Sequence, residues 1–372
     1  MTPSEQICCM ALSIMFRARG RQLLELYRHA GSASAIVAHA DNLQAIVPDL
    51  NPQAFLIDET ALSDALRRAE AEALFARQHG ISILIPTDPA YPARLLEVCT
   101  DAPLALYYRG NADLNAVHTL AIVGTRRSTE YGRDLVNTIC RDLASVFPDL
   151  LIISGLAYGT DINAHRAALE NGLPTVGVLA HGLDTIYPST HRNTAARMTE
   201  HGGLLTEYPT LTRPDGINFL HRNRLIAGIA EATLVVESRE RGGSLTTARL
   251  ANEYSLTVMA CPGRTTDQAS VGSNRLIQTH SAALVTSAAD IVRTIGWQVP
   301  KQQSDNPLPS MFDEALTAEE RMLLNALTSE PRHFSHIVSI SGLPVPTVLS
   351  VLSELEFRGL ARQLPGSNWR KL

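Results

Sequence analysis

Arginines placed directly after apolar runs, beside glycines and hydroxyls, are the side chains best suited to chemistry here, and phosphate binding is the chemistry they suit. Arg126 and Arg127 follow the run LAIV in TLAIVGTRRS, Ser154 and Gly155 follow LLII, and Arg222 and Arg224 flank Asn223 in FLHRNRLIAG. Gly243, Ser244 and Thr246 belong to GGSLTT, a turn with a capping hydroxyl and two further hydroxyls. A guanidinium clamps phosphate oxygens with two parallel N–H donors. A helix N-terminus adds unpaired N–H groups and roughly half a positive charge. The only lysines are Lys301 and Lys371, so no phosphate-loop or Schiff-base lysine can act in this region. Phosphate chemistry here must run on arginine and backbone.

Other residues offer thinner signals. Asp161 and His165 in TDINAH lie one helical turn apart, a spacing that suits an acid–base pair or half a metal site. An acidic residue opening a helix is the simpler reading, because the dipole favours it there. Ser154 lacks the G-x-S-x-G frame of a nucleophile, and phosphate contact is the better role. No G-x-G-x-x-G follows the first strand, where the turn reads Gly124-Thr125-Arg126-Arg127-Ser128, and dinucleotide binding is disfavoured. GGSLTT invites a rival, the phosphoribohydrolases of the lysine decarboxylase-like class with their PGGxGTxxE motif. Leu245 stands where that motif needs a third glycine and Arg249 where it needs its glutamate. Phe219 and Tyr187 are candidates to stack on bases.

The elements that must position these residues alternate. LAIV, LLIIS, TVGVL, LLTE, ATLVVE, LTVMA and AALV read as strands, each followed by a helical pattern, the fourth of these spanning 223–229. Seven such units predict an α/β, Rossmann-like domain over 81–298 whose mostly parallel sheet is covered on both faces. Its ligand belongs beyond the carboxyl ends of the strands. Residues 1–80 carry short helical patterns and predict a small helical, SAM-like domain. A turn at Gly20 suggests a helix-hairpin-helix touching DNA backbone, but FRARG lacks the usual hairpin glycines, and a scaffold role is preferred. Pro, Gln, Ser and Asp replace the apolar pattern over 299–313, a linker. Residues 314–372 then read as three helices and a hairpin, a winged helix. Its third helix offers Thr347 and Ser350 but no arginine before Arg358, and from Asp313 onward six basic residues face seven acidic ones, which favours protein interaction over duplex recognition.

The net charge of −5 over 372 residues rules out a chain coated in positive charge, yet leaves room for a local arginine-lined groove. Five scattered cysteines form no CxxC pair and read as reduced thiols of a cytoplasmic protein, with no metal or cofactor implied. No apolar run approaches the ~18 residues of a membrane span.

VGTRRSTEYG, SGLAYGTDINAH, GLDTIYP, RNRLIAG, GGSLTTARLA and PGRTTDQASVGSNRLI occur in this order. That succession resembles the DNA-processing protein A family (DprA/Smf) over roughly residues 80–295, with departures at Thr160, at His280-Ser281 and in YPST, which lacks the family's lysine. The resemblance implies a non-enzymatic protein that binds single-stranded DNA and loads the RecA recombinase during natural transformation, as a homodimer. It also implies that Arg126, Ser154, Gly155, Arg222, Asn223, Arg224, Gly243 and Ser244 line a phosphate-binding pocket.

Overall fold

The structure is a computed structural model and describes residues 3–48, 56–299, 316–328 and 330–371. The linker expected over 299–313 lies, from residue 300 on, outside the described residues. The chain divides into two compact units, 1–300 and 301–372.

Within the first unit, a helical layer comes first: α1 (Glu5–Met15), α2 (Gly20–Ala30), α3 (Ala33–Ala38) and α4 (Glu59–Gln78). Ser4, Ser32 and Asp58 cap α1, α3 and α4 by accepting from backbone N–H groups of the first turn. Two strands, β1 (Ser82–Leu84) and β2 (Leu106–Gly110), flank α5 (Ala93–Val98). Then strand and helix alternate as the sequence predicts. β3 (Thr119–Val123), α6 (Glu130–Ala144), β4 (Leu151–Ser154), α7 (Thr160–Glu170), β5 (Thr175–Val178), α8 (Arg192–Glu200) and β6 (Gly202–Thr206) build one half. The other half is α9 (Gly216–Ile229), β7 (Ala232–Val235), α10 (Gly243–Glu253), β8 (Thr257–Ala260), α11 (Val271–Gln278), β9 (Ala283–Leu284) and α12 (Ala288–Ile295).

The strands order as β1-β2-β6-β5-β4-β3-β7-β8-β9, parallel from β6 through β9 and antiparallel only where β2 joins β6 and β1 joins β2. Strand alternation divides the core in two. Ala121 and Val123 point to a layer shared with Leu225, Ile226 and Ala248, while Leu120 and Ile122 point to a layer with Val136, Ile139 and Ala164. Leu12, Leu24 and Ile36 of the helical layer belong to the first of these cores, so the layer is fused to the sheet's own packing.

Winding outward from β3 through β4 and β5 to β6, the chain returns through α9 to β7 beside β3. Strand order reverses there, and a crevice opens beyond the carboxyl ends of β3 and β7.

The second unit holds α13 (Ala318–Ala326), β10 (Arg332–His333), α14 (Phe334–Ser341), α15 (Val345–Phe357), β11 (Ala361–Leu364) and β12 (Asn368–Lys371). Leu323, Ile337, Val348, Leu352 and Trp369 form its core. The hairpin of β11 and β12 gains β10 as a third strand, which makes this a winged helix. Among the described residues no single helix is long and apolar enough to cross a membrane.

Candidate nucleic-acid interface

A cleft of about 340 Å³ lies at the strand-order reversal, lined by the turn after β3, the first turns of α9 and α10, and Asp161 of α7. Five arginines reach it: Arg126, Arg127, Arg222, Arg239 and Arg241. Arg126, Arg127, Arg239 and Arg241 are exposed, and none makes an ion pair with a carboxylate among the described residues.

Arg222 is buried (3% exposed) and differently held. Its Nη1 donates to the carbonyls of Gly155, at 2.8 Å, and of Val178. A Cβ on Gly155 would lie 2.5 Å from Arg222 Nη2 and 2.6 Å from Asp161 Oδ2, so glycine is what lets the guanidinium lie against this turn. Burial pulls the Arg222 pKa down to about 10, with the Asp161 carboxylate opposing and Arg126 adding to the fall. It remains a cation at neutral pH. Asp161 is pushed up from the ordinary carboxylate range by burial, against the pull of Arg222.

Of three neighbouring helix N-termini at this edge, that of α10 alone is neither capped by a side chain nor bonded to a neighbouring turn among the described residues. That of α6 is filled from within: the buried Glu237 carboxylate accepts from Thr129 N at 2.9 Å and Thr129 Oγ1 at 2.5 Å. The α7 start is shut by Gly159, whose φ of +78° brings it under the β3–α6 turn, with Thr160 N donating to Thr125 O at 3.1 Å. By contrast, α10 begins on Gly242, which supplies no side-chain cap, and Gly243 is exposed at the cleft. Asn223 braces this end by donating to Gly243 O at 3.2 Å. An anion is the natural occupant of such an end.

Phe219 stands at the same cleft, with the Arg126 guanidinium 5.3 Å and that of Arg222 5.8 Å from its ring centroid. The Tyr187 ring lies 6.0 Å away, tilted by 54°, and is 47% exposed. Both aromatic candidates from the sequence are therefore neighbours beside the arginines.

Three sequence expectations need correction. Arg224 does not reach the cleft: it is buried and paired with Glu207 at 2.5 Å and Asp101 at 2.9 Å. Residues two apart on a helix lie roughly 200° apart around its axis, so Arg222 and Arg224 cannot share a face. Thr246 fails likewise; Ser244 and Thr247 line the cleft, while Thr246 faces a separate groove. The Ser154 hydroxyl is fully buried and donates to Ile122 O at 2.6 Å, holding β4 to β3. Also, α9 begins seven residues before the expected 223, capped by Asp215. The reading from sequence passed over Arg239 and Arg241. Their signal was an arginine on each side of Glu240 in the turn between β7 and the GGS motif.

Fold and site together define an α/β protein with an arginine-lined anion cleft at the reversal point of a parallel sheet and a winged helix appended. The chain belongs to the DNA-processing protein A (DprA/Smf) family. The family model described as DNA recombination-mediator protein A matches residues 82–296, and that of the DprA winged helix domain matches 307–367. Protein Smf of Escherichia coli K12 is 38% identical over 291 residues, 76% of each chain. The DNA processing protein DprA of Streptococcus pneumoniae is 37% identical over 242 residues, 65% of this chain and 82% of that one. The crystal structure of the S. pneumoniae protein superposes with a TM-score of 0.65 at 29% identity, covering 79% of this chain and 98% of that one. A second structure, concerned with the single-stranded DNA binding mode of DNA processing protein A from Helicobacter pylori, gives 0.52 at 28% identity, over 59% and 97%.

Proposed function

We propose that this protein binds single-stranded DNA through the arginine cleft, shields the strand, and loads the RecA recombinase onto it during natural transformation. It acts as a cytoplasmic homodimer and catalyses no reaction of its own. The observation that carries the DNA step is the set of exposed arginines, without acidic partners among the described residues, around the uncapped N-terminus of α10. Such donors meet a sugar-phosphate backbone without reading bases, and Phe219 and Tyr187 add faces on which any base can stack. The Helicobacter relative, whose structure concerns single-stranded DNA binding, supports this step, and the family's place in recombination supports the RecA step.

The competing nucleotide-hydrolase reading loses support at Arg249. On α10 at the position where that enzyme needs its glutamate, the side chain is exposed and paired with Glu253 outside the cleft. Fluorescence anisotropy with labelled single-stranded and duplex oligonucleotides over a salt series tests the proposal. Salt-sensitive preference for the single strand is expected; equal, weak binding together with base release from nucleoside monophosphates would overturn it.

A further inference from the structure

The cleft is small, and a strand bound in it has to leave. One side of it is low. The first turns of α9 form a crest between the cleft and a groove of about 1560 Å³ that runs under the helical layer. Leu220 lines both, and it and Ile217 stand 54% and 74% exposed on that crest. The start of α10 is shared in the same way, with Ser244 and Thr247 on the cleft side and Thr246 and Arg249 on the groove side.

Across the groove stands the turn that the sequence marked by FRARG, a short 3-10 segment at Arg17–Arg19 running into α2 at Gly20. Arg17, Arg21, Arg213 and Arg249 line the groove. Arg213 is exposed, and among the described residues no carboxylate pairs with it. Arg17 lies 4.4 Å over the Tyr208 ring and donates to Asn218 Oδ1 at 2.8 Å, which uses only part of its donor fork. The pairs Arg21–Glu25 and Arg249–Glu253 are open to solvent on both sides (71%/55% and 62%/51% exposed), where an ion pair contributes little and a phosphate displaces it readily. The other acidic groups of the groove are already committed, Asp101 to Arg224 and Asp215 to the N–H of Ile217. What the groove has left over is positive charge.

We propose that this groove is a second subsite for the sugar-phosphate backbone of the same single strand, entered from the cleft over Leu220. The helical layer then acts in DNA binding as the far wall of that track. This inference rests on the cleft reading. It does not need the turn to be a helix-hairpin-helix, only that its arginines face the groove.

The test compares a short oligothymidylate, long enough for the cleft alone, with one several times longer, using the full chain and its Arg21→Glu/Arg213→Glu variant. The native chain gains affinity with length. The variant binds the short oligonucleotide like the native chain but loses roughly tenfold on the long one, and its log–log salt slope there falls by about 1.4, near 0.7 for each lost phosphate contact. Unchanged thermal unfolding of the variant, and a parallel loss in Arg213→Ala, separate this from misfolding. Equal binding of the long oligonucleotide by variant and native chain overturns the groove and leaves the cleft standing. Failure of the native chain to bind the short one overturns both.

Discussion

Helix α9 has a cleft on one side and a junction with the helical layer on the other, and the arginines gathered on the two sides meet opposite circumstances. On the junction side Arg224 is matched by Glu207 and Asp101, while nearby Glu72 accepts from Thr210 N at 2.8 Å, Thr210 Oγ1 at 2.7 Å and Arg68 at 3.1 Å. On the cleft side, Arg126, Arg127, Arg239 and Arg241 make no ion pair with a carboxylate among the described residues, and the acid that lines the cleft, Asp161, is pushed up from the ordinary carboxylate range by burial. Buried charges that serve the fold are neutralised within it, because an uncompensated one is costly. Charges left unmatched at a concave surface are those with an outside partner to meet.

The largest expected effect is on the junction. Arg224→Ala leaves Glu207 buried without its cation and costs about 3–5 kcal/mol in urea unfolding. Replacing both partners with apolar residues of similar volume recovers most of that loss. If Arg224→Ala is instead stable and defective only in DNA binding, the contrast between the two sides is wrong.

Acid sharpens the contrast next. Burial holds the His165 imidazole down at about 3, well below its unfolded value near 6.5, so the unfolded chain takes up the proton first. Stability is therefore lost as pH falls from about 6.5 toward about 3, by up to about 1.4 kcal/mol for each unit. Glu207 joins only further down. Burial raises its pKa, Arg224 and His221 together outweigh that, and the net depression means its contribution is lost as pH drops below the unfolded value of 4.5. Urea unfolding at pH 7, 6 and 5 should show the slope, and His165→Gln should make it shallower, His181 and His191 being held down by burial as well. DNA affinity, resting on arginines, should stay level from pH 6 to 9 while the protein remains folded.

The smallest effect belongs to the α10 N-terminus. A Cβ on Gly243 would meet only Asn223 Nδ2 at 3.6 Å, so Gly243→Ala should leave stability within about 0.5 kcal/mol. If a phosphate sits on these N–H groups, the methyl should weaken single-strand binding a few-fold.

Much of this was legible in the sequence. LAIV, LLIIS and ATLVVE read as buried parallel strands because both faces of the sheet are covered, and continuous apolar runs result. The cleft's place followed from the glycine and arginine turns at the strand ends. Less legible was which member of each pair faces it. Arg222 and Arg224, or Thr246 and Thr247, differ only by rotation about a helix whose start at Asp215 the sequence did not mark strongly. Arg239 and Arg241 were missed because a turn has no periodicity to assign its side chains a direction. Nor could composition foretell that Glu237, distant in sequence, would fill the α6 N-terminus and leave α10 as the open one.

The proposed role of the exposed cleft arginines is to meet the phosphates of a single strand. Its most direct test is the salt dependence of oligothymidylate binding by the native chain and by Arg126→Ala/Arg127→Ala. With folding stability unchanged, the variant's log–log salt slope should be shallower by about 1.4 and its affinity lower by about tenfold or more for every sequence tried. A variant with the native slope and affinity would contradict the account.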